Sequence, residues 1–265
     1  LPIALCFFLS GAAALILQVL WTRLLGHVFG ATALAISTTL AVFMGGLALG
    51  SHLGGRLAPR LARPLLAFAA LESAVGLYGL LVPSLLGWMP ALQAALDVPA
   101  WGGFWGHALL RFALVTAILI LPTTAMGATL PLLAEGVVQA GDRLASKVGR
   151  LYAANTFGAV VGAFVAGFVL IPELGLAATV YLAAAVDLLV ALVVLLLWRF
   201  GGAALLTREG RRVDPDDILS LLEPHEAPAL SPRATRWVLA AFAFSGAAAM
   251  ALEVLWTRTV GVVIG

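Results

Sequence analysis

Charge is what this chain has least of. Its 15 basic and 13 acidic side chains make up 11% of 265 residues, where a soluble domain carries about 25%. So few charges could not coat a soluble core when 62% of the residues are hydrophobic. With glycine counted and tyrosine dropped, the apolar share is about 71%, against an ordinary 45–50%. Cysteine is nearly missing too. Cys6 alone excludes an intrachain disulfide framework and any zinc or iron–sulfur centre built from several thiolates. The four histidines are scattered. His27 and His107 have no acid beside them in sequence, so no metal is expected. No Ser/His/Asp or Cys/His arrangement can be argued. A net charge of +2 gives no reason to expect nucleic acid as a partner.

What is present is a series of long apolar runs. They cover residues 1–21, 31–50, 65–86, 109–134, 151–171, 176–198 and 237–256. Each is close to the ~20 residues that cross a ~30 Å hydrocarbon layer as a helix. Barrel strands would be about half as long and would alternate polar with apolar. The expected fold is therefore all-α, a polytopic transmembrane helical bundle whose first partner is the lipid bilayer.

The basic residues orient it. Arg56, Arg60 and Arg63 follow the second run, and Arg143, Lys147 and Arg150 follow the fourth. Arg199, Arg208, Arg211, Arg212, Arg233 and Arg236 follow the sixth. Only Arg23, Arg111 and Arg258 fall on the other side. Twelve against three makes the first side cytoplasmic by the positive-inside rule, and the N-terminus with it. The expected location is a bacterial inner membrane. The first run lacks a basic leader and a small-residue cleavage site, so it reads as a permanent helix rather than a signal peptide. The chain does not begin with Met, which suggests that its start lies further upstream.

Between runs three and four, Trp88, Trp101, Phe104 and Trp105 among glycines and prolines predict a loop or short helix at the headgroup level; a ligand-binding lid is the other reading. Residues 201–236 mix both charge signs with prolines and read as a cytoplasmic linker, with a short amphipathic helix near 216–222.

The chain repeats itself. SGAAALILQVLWTRLLGHVFG (residues 10–30) and SGAAAMALEVLWTRTVGVVIG (245–265) agree at 14 of 21 positions. The organisation expected is a six-helix membrane unit over 1–200, a charged linker over 201–236, and the first helix of a second repeat over 237–265, cut short at Gly265. Six helices, a long cytoplasmic loop and a parallel repeat resemble the plan of the major facilitator superfamily. GSHLGGRLAPRLARP (50–64) is similar to that superfamily's Gly- and Arg-rich loop. Pro59 stands where an acid is often found, a departure from the pattern on which that loop's usual charge relay rests.

A narrower resemblance rests on the repeat, on LPTTAMGATLPLLAEGV (121–137), and on VGRLYAANTFGAVVGAFVAGFVLIPELGL (148–176). These look like bacterial fused major-facilitator/spermidine-synthase-like integral membrane proteins, over their membrane region only. The resemblance implies a soluble aminopropyltransferase-like domain elsewhere, and a polyamine-like organic cation as the molecule bound or moved. No strand with a Gly-x-Gly turn and a ribose-binding acid occurs here. No cofactor and no catalytic residue is therefore expected in this chain, and whether the protein is an enzyme stays open. Two other readings also stay open: a non-transporting scaffold or accessory subunit of a larger membrane complex, and the anchor of that absent enzyme domain. The partner would then be other membrane subunits or the soluble enzyme.

Ionisable groups inside apolar runs carry the site expectations, since burying one costs several kcal/mol unless it is paired or wet. Glu72 sits in the third run, Asp187 in the middle of the sixth and Glu253 in the last, while Glu173 belongs to an external turn. Glu72 and Asp187 either face a cavity and take an organic cation or a proton, or pair with Arg, Ser, Asn or backbone within the bundle. Pro122 and Pro131 predict a kink in the fourth run. Thr123 and Thr124 beside them either repair the freed carbonyls or join a substrate site. Asn155, near Tyr152, is read as an interhelical hydrogen-bond donor or a ligand contact. Small residues every four positions mark packing seams: Gly46, Gly50 and Gly54, and Ala154, Gly158, Gly162 and Ala166. Trp21 with Arg23, and Trp256 with Arg258, read as interface anchors, indole at the headgroups and guanidinium snorkelling outward.

Overall fold

The computed structural model describes residues 2–29, 33–95, 103–137, 144–200 and 231–264, and among them there is helix and no strand. The helices are α1 (Pro2–Phe29), α2 (Ala33–Leu57), α3 (Pro64–Gly87), α4 (Met89–Ala95), α5 (Gly103–Val137), α6 (Leu144–Val165), α7 (Ile171–Phe200) and α8 (Pro232–Ile264). A 3₁₀ turn (Ala58–Arg60) follows α2, and a π-helical turn (Ala166–Leu170) joins α6 to α7. Six helical stretches are long and apolar enough to cross a membrane: Pro2–Val28, Leu34–Arg60, Pro64–Gly87, Trp105–Val137, Val148–Phe200 and Arg233–Leu255. Helices suit that solvent because each satisfies its own backbone groups.

The stretch Val148–Phe200 holds 53 residues. Straight, it would reach about 80 Å, more than twice the ~30 Å needed. It does not run straight. At Gly175 the backbone takes φ 77° and ψ 171°, a conformation open to glycine and scarcely to any other residue. Asn155 and Asp187 stand on either side of this break, 32 residues apart, and would be about 48 Å apart on one straight helix. They line the same small cavity, so the chain turns back on itself here. The fifth and sixth apolar runs are thus two passes, divided in the PELG turn (172–175).

The chain divides into two compact units, Leu1–Arg208 and Glu209–Gly265. In the first, α1 packs chiefly on α6, α2 on α5, and α3 on α7 and α5. Their side chains form two apolar layers. One is built around Leu17, Leu20, Trp21, Phe43, Val82 and Leu119; the other around Phe7, Phe68, Leu133, Leu151 and Val190. The order in which each helix visits these layers alternates. α1 runs from the second layer to the first, α2 back again, and α3, α5, α6 and α7 continue the alternation. Arg56, Arg60, Arg63, Arg150 and Arg199 all flank the second layer. There the Arg63 guanidinium lies 5.4 Å from the ring centre of Trp198, at the end of α7.

Glycine makes the closest seams. A Cβ on Gly158 or Gly162 would strike the backbone carbonyls of Phe8 and Ala12 on α1. On α2, Gly46, Gly50 and Gly54 lie against Thr123, Thr124 and Ala128 of α5, and Gly127 returns the fit against the Leu47 backbone. Backbones this close gain dispersion and lose little side-chain entropy, which suits association in a solvent that offers no hydrophobic drive.

Proline shapes α5. Pro122 removes the donor that Ile118 would have had four residues on. The Tyr78 hydroxyl of α3 takes over, donating to the Ile118 carbonyl at 2.9 Å. Thr123 donates to the Leu119 and Ile120 carbonyls at 2.7 and 3.2 Å.

Several expectations change or fall outside the described residues. Trp21 is fully buried in the first apolar layer. It fills bundle interior and is not a headgroup anchor, because α1 continues as helix to Phe29 and carries the indole below the helix end. Arg23 is exposed. α8 carries Trp256 and Arg258, whose side chains lie outside the described set. In the aromatic connection, Trp88 and Trp105 are exposed beside the short helix α4; Trp101 and the Phe104 side chain are outside the described set. So are residues 201–230, with the expected helix at 216–222. In the second unit α8 begins after Ser231, whose hydroxyl accepts from the Ala234 amide at 3.2 Å, an N-cap.

Candidate functional site

Between the two apolar layers lies a third that is polar. Its centre is Glu72, on the face of α3 that points into the bundle, 2% exposed. Ser10 of α1 donates its hydroxyl to Glu72 Oε1 at 2.7 Å. One turn along α3 is Gly76, where a Cβ would come within 3.1 Å of the Asp187 Cβ and 3.0 Å of the Ala184 carbonyl. The missing side chain lets α7 approach α3 closely at the level of Asp187. Asp187 is 1% exposed, and its Oδ2 has no hydrogen-bond partner among the described residues. A buried polar atom left unpaired costs roughly 1–3 kcal/mol, more if charged, so this oxygen calls for an explanation.

The two acids border a cavity of about 70 Å³. All six long helices of the unit contribute to it: Ser10, Ala14 and Leu15 from α1, Phe43 and Leu47 from α2, and Glu72 and Val75 from α3. Met126 and Thr129 come from α5, Asn155 from α6 and Asp187 from α7. No arginine, lysine or histidine is among its lining residues. Asn155 donates from Nδ2 to the Phe7 carbonyl at 3.1 Å. Because a carbonyl can only accept, that bond also fixes which end of the amide is oxygen.

The structure thus brings together Glu72, Asp187 and Asn155. It does not bring Thr123 and Thr124 to them. Thr123 is bonded within α5 and faces Gly46, and Thr124 lies against Gly50 with its Oγ1 buried and unpartnered. The α2–α5 seam closes over both and keeps them out of the cavity lining. Ser10 and Thr129 are additions to the expected set. Serine directly before the first small-residue run was the one available signal for Ser10; nothing in a single sequence tells that it meets Glu72, 62 positions away.

A second, open cleft of about 300 Å³ lies between α2 and α5, lined by Leu34, His107, Ala108 and Arg111. The Arg111 Nε donates to Gln93 Oε1 at 3.4 Å. Among the described residues no three His, Cys, Asp or Glu side chains group as metal ligands.

Sequence comparison finds a distant relative. The chain is 31% identical over 178 residues to polyamine aminopropyltransferase 2 of Streptomyces coelicolor (strain ATCC BAA-471 / A3(2) / M145). The homology is distant. It takes in 63% of this chain and 29% of the relative, so the chain spans less than a third of that protein's length. No family model matches the chain. No solved structure matches it.

Proposed function

We propose that this chain is the membrane domain of a fused transporter/spermidine-synthase-like protein, and that it binds or translocates a polyamine-like organic cation. One observation carries the reading: two buried carboxyl groups, on α3 and α7, border one cavity with no basic side chain among its described lining residues. Two acids so placed repel each other unless something positive joins them, and an ionisable group inside a membrane span ordinarily marks a ligand or ion pathway. The name of the relative adds a polyamine to the candidates. The unit would act as one major-facilitator-like half. Residues 245–265 would open a second, and movement would come from alternating access between the halves. The gathering of Arg56, Arg60, Arg63, Arg150 and Arg199 at one end supports a cytoplasmic face there, in a bacterial inner membrane with the N-terminus inside.

The test is uptake of radiolabelled polyamine by cells expressing the full-length protein. Glu72→Gln and Asp187→Asn should each reduce uptake at least tenfold at unchanged membrane abundance. Unchanged uptake in both variants refutes the reading.

A second reading has one observation of its own: the relative bears an enzyme's name, and this chain spans only 29% of it. The helices would then anchor an aminopropyltransferase carried elsewhere in the protein. Aminopropyl transfer by membranes containing the full-length protein, undiminished in the Glu72→Gln/Asp187→Asn double variant, would favour the anchor.

A further inference from the structure

Hydrogen-bond bookkeeping around the polar layer narrows the ligand. The Ser10 hydroxyl proton is committed to Glu72, and the Thr129 proton to the Met126 carbonyl at 2.6 Å. One amide hydrogen of Asn155 is committed to the Phe7 carbonyl. Acceptors remain: the lone pairs of both hydroxyls, the Asn155 amide oxygen and the unpartnered Asp187 Oδ2. Against these, once both carboxyl groups are ionised, the lining can offer one further hydrogen, from Asn155. A ligand that only accepts hydrogen bonds would leave the site unsatisfied; one that donates several would complete it. The volume sets the size. About 70 Å³ is the liquid share of roughly two water molecules, too little for a whole polyamine. The rest of the wall is apolar, with Ala14, Leu15, Phe43 and Val75.

We infer that the cavity takes the terminal primary ammonium of a linear aliphatic amine. Its three N–H groups donate to Asp187 Oδ2, to the Glu72 carboxylate and to a hydroxyl of Ser10 or Thr129, and the adjoining methylenes lie against the apolar wall. The inference rests on the cation reading above and makes it specific: the site recognises one end of the amine, by its donors as well as its charge. A quaternary ammonium has the charge and no donor. An alkali cation has the charge and gains nothing from the apolar wall.

The experiment is calorimetric titration of the purified full-length protein with propylamine, spermidine, tetramethylammonium chloride and sodium chloride at constant ionic strength. Propylamine and spermidine should bind, and tetramethylammonium and sodium should bind at least a hundredfold more weakly. Asp187→Asn should abolish propylamine binding. Ser10→Ala, the milder change, should weaken it about tenfold with the thermal unfolding profile retained. If tetramethylammonium or sodium binds as well as propylamine, or if Ser10→Ala and Asp187→Asn both bind propylamine like the parent, the inference is overturned. Spermidine binding without propylamine binding overturns it and leaves the polyamine reading standing. Propylamine binding without spermidine binding does the reverse. If neither amine binds, both fall.

Discussion

Tyr78→Phe should destabilise the first unit by an amount set by a proline on another helix. The hydroxyl it removes is the donor to the Ile118 carbonyl at 2.9 Å, and that carbonyl lost its helical donor to Pro122. Water inside the bundle is scarce, so the carbonyl left behind goes unpaired. An unsatisfied buried acceptor costs roughly 1–3 kcal/mol, while interhelical hydrogen bonds in a membrane average about 0.6 and reach about 1.7 kcal/mol. The site is only partly buried, which favours the lower figures, and about 1 kcal/mol is the expected loss. Unfolding in mixed detergent micelles would measure it. The decisive comparison uses a second background. Pro122→Ala restores an amide proton four residues after Ile118, so Tyr78→Phe should cost almost nothing there. A double-mutant cycle then shows a coupling of about 1 kcal/mol. If Tyr78→Phe costs the same in both backgrounds, the proline did not create the need for the hydroxyl, and the reasoning fails.

Three further outcomes follow from packing and topology. Gly46→Ala places a methyl group on the Thr123 side chain, whereas Gly45→Ala meets nothing within 4 Å; the first should lower stability by about 1–3 kcal/mol, and the second should leave it unchanged or slightly raised, as read by the same unfolding assay. Gly175→Ala forces a Cβ into a glycine-only conformation at a cost of about 1–3 kcal/mol, and should increase proteolysis at the PELG turn (172–175); wild-type resistance would count against a tight reversal there. In a Cys6→Ala background, Arg60→Cys should react with an impermeant thiol reagent only after the cells are opened, and Trp105→Cys in intact cells; labelling of both from outside would refute the assigned orientation.

The parts of this architecture that sequence can reveal are those written in consecutive residues. An apolar run long enough to cross a bilayer is one, and so is an acid that interrupts it, as Glu72 and Asp187 do. The turn in PELG belongs here too, since glycine is the residue able to hold φ 77°. What depends on the rotation of one helix against another is not local. That Ser10 meets Glu72, that Tyr78 serves a carbonyl 40 positions away, and that Thr123 faces Gly46 instead of a ligand all come from interhelical packing. Trp21 shows the limit most plainly. A Trp-x-Arg near a span end reads as an anchor until the helix is seen to run eight residues further, with the indole in the core.

Glu72 and Asp187 are proposed to hold a cation together inside the bundle. Equilibrium binding of a radiolabelled polyamine to the purified full-length protein tests it directly, with the parent compared against the Glu72→Gln/Asp187→Asn pair and folding monitored on the same samples. Saturable binding to the parent and none to the pair is expected, with helicity and thermal unfolding retained in both. Saturable binding of equal affinity to the folded pair would contradict it.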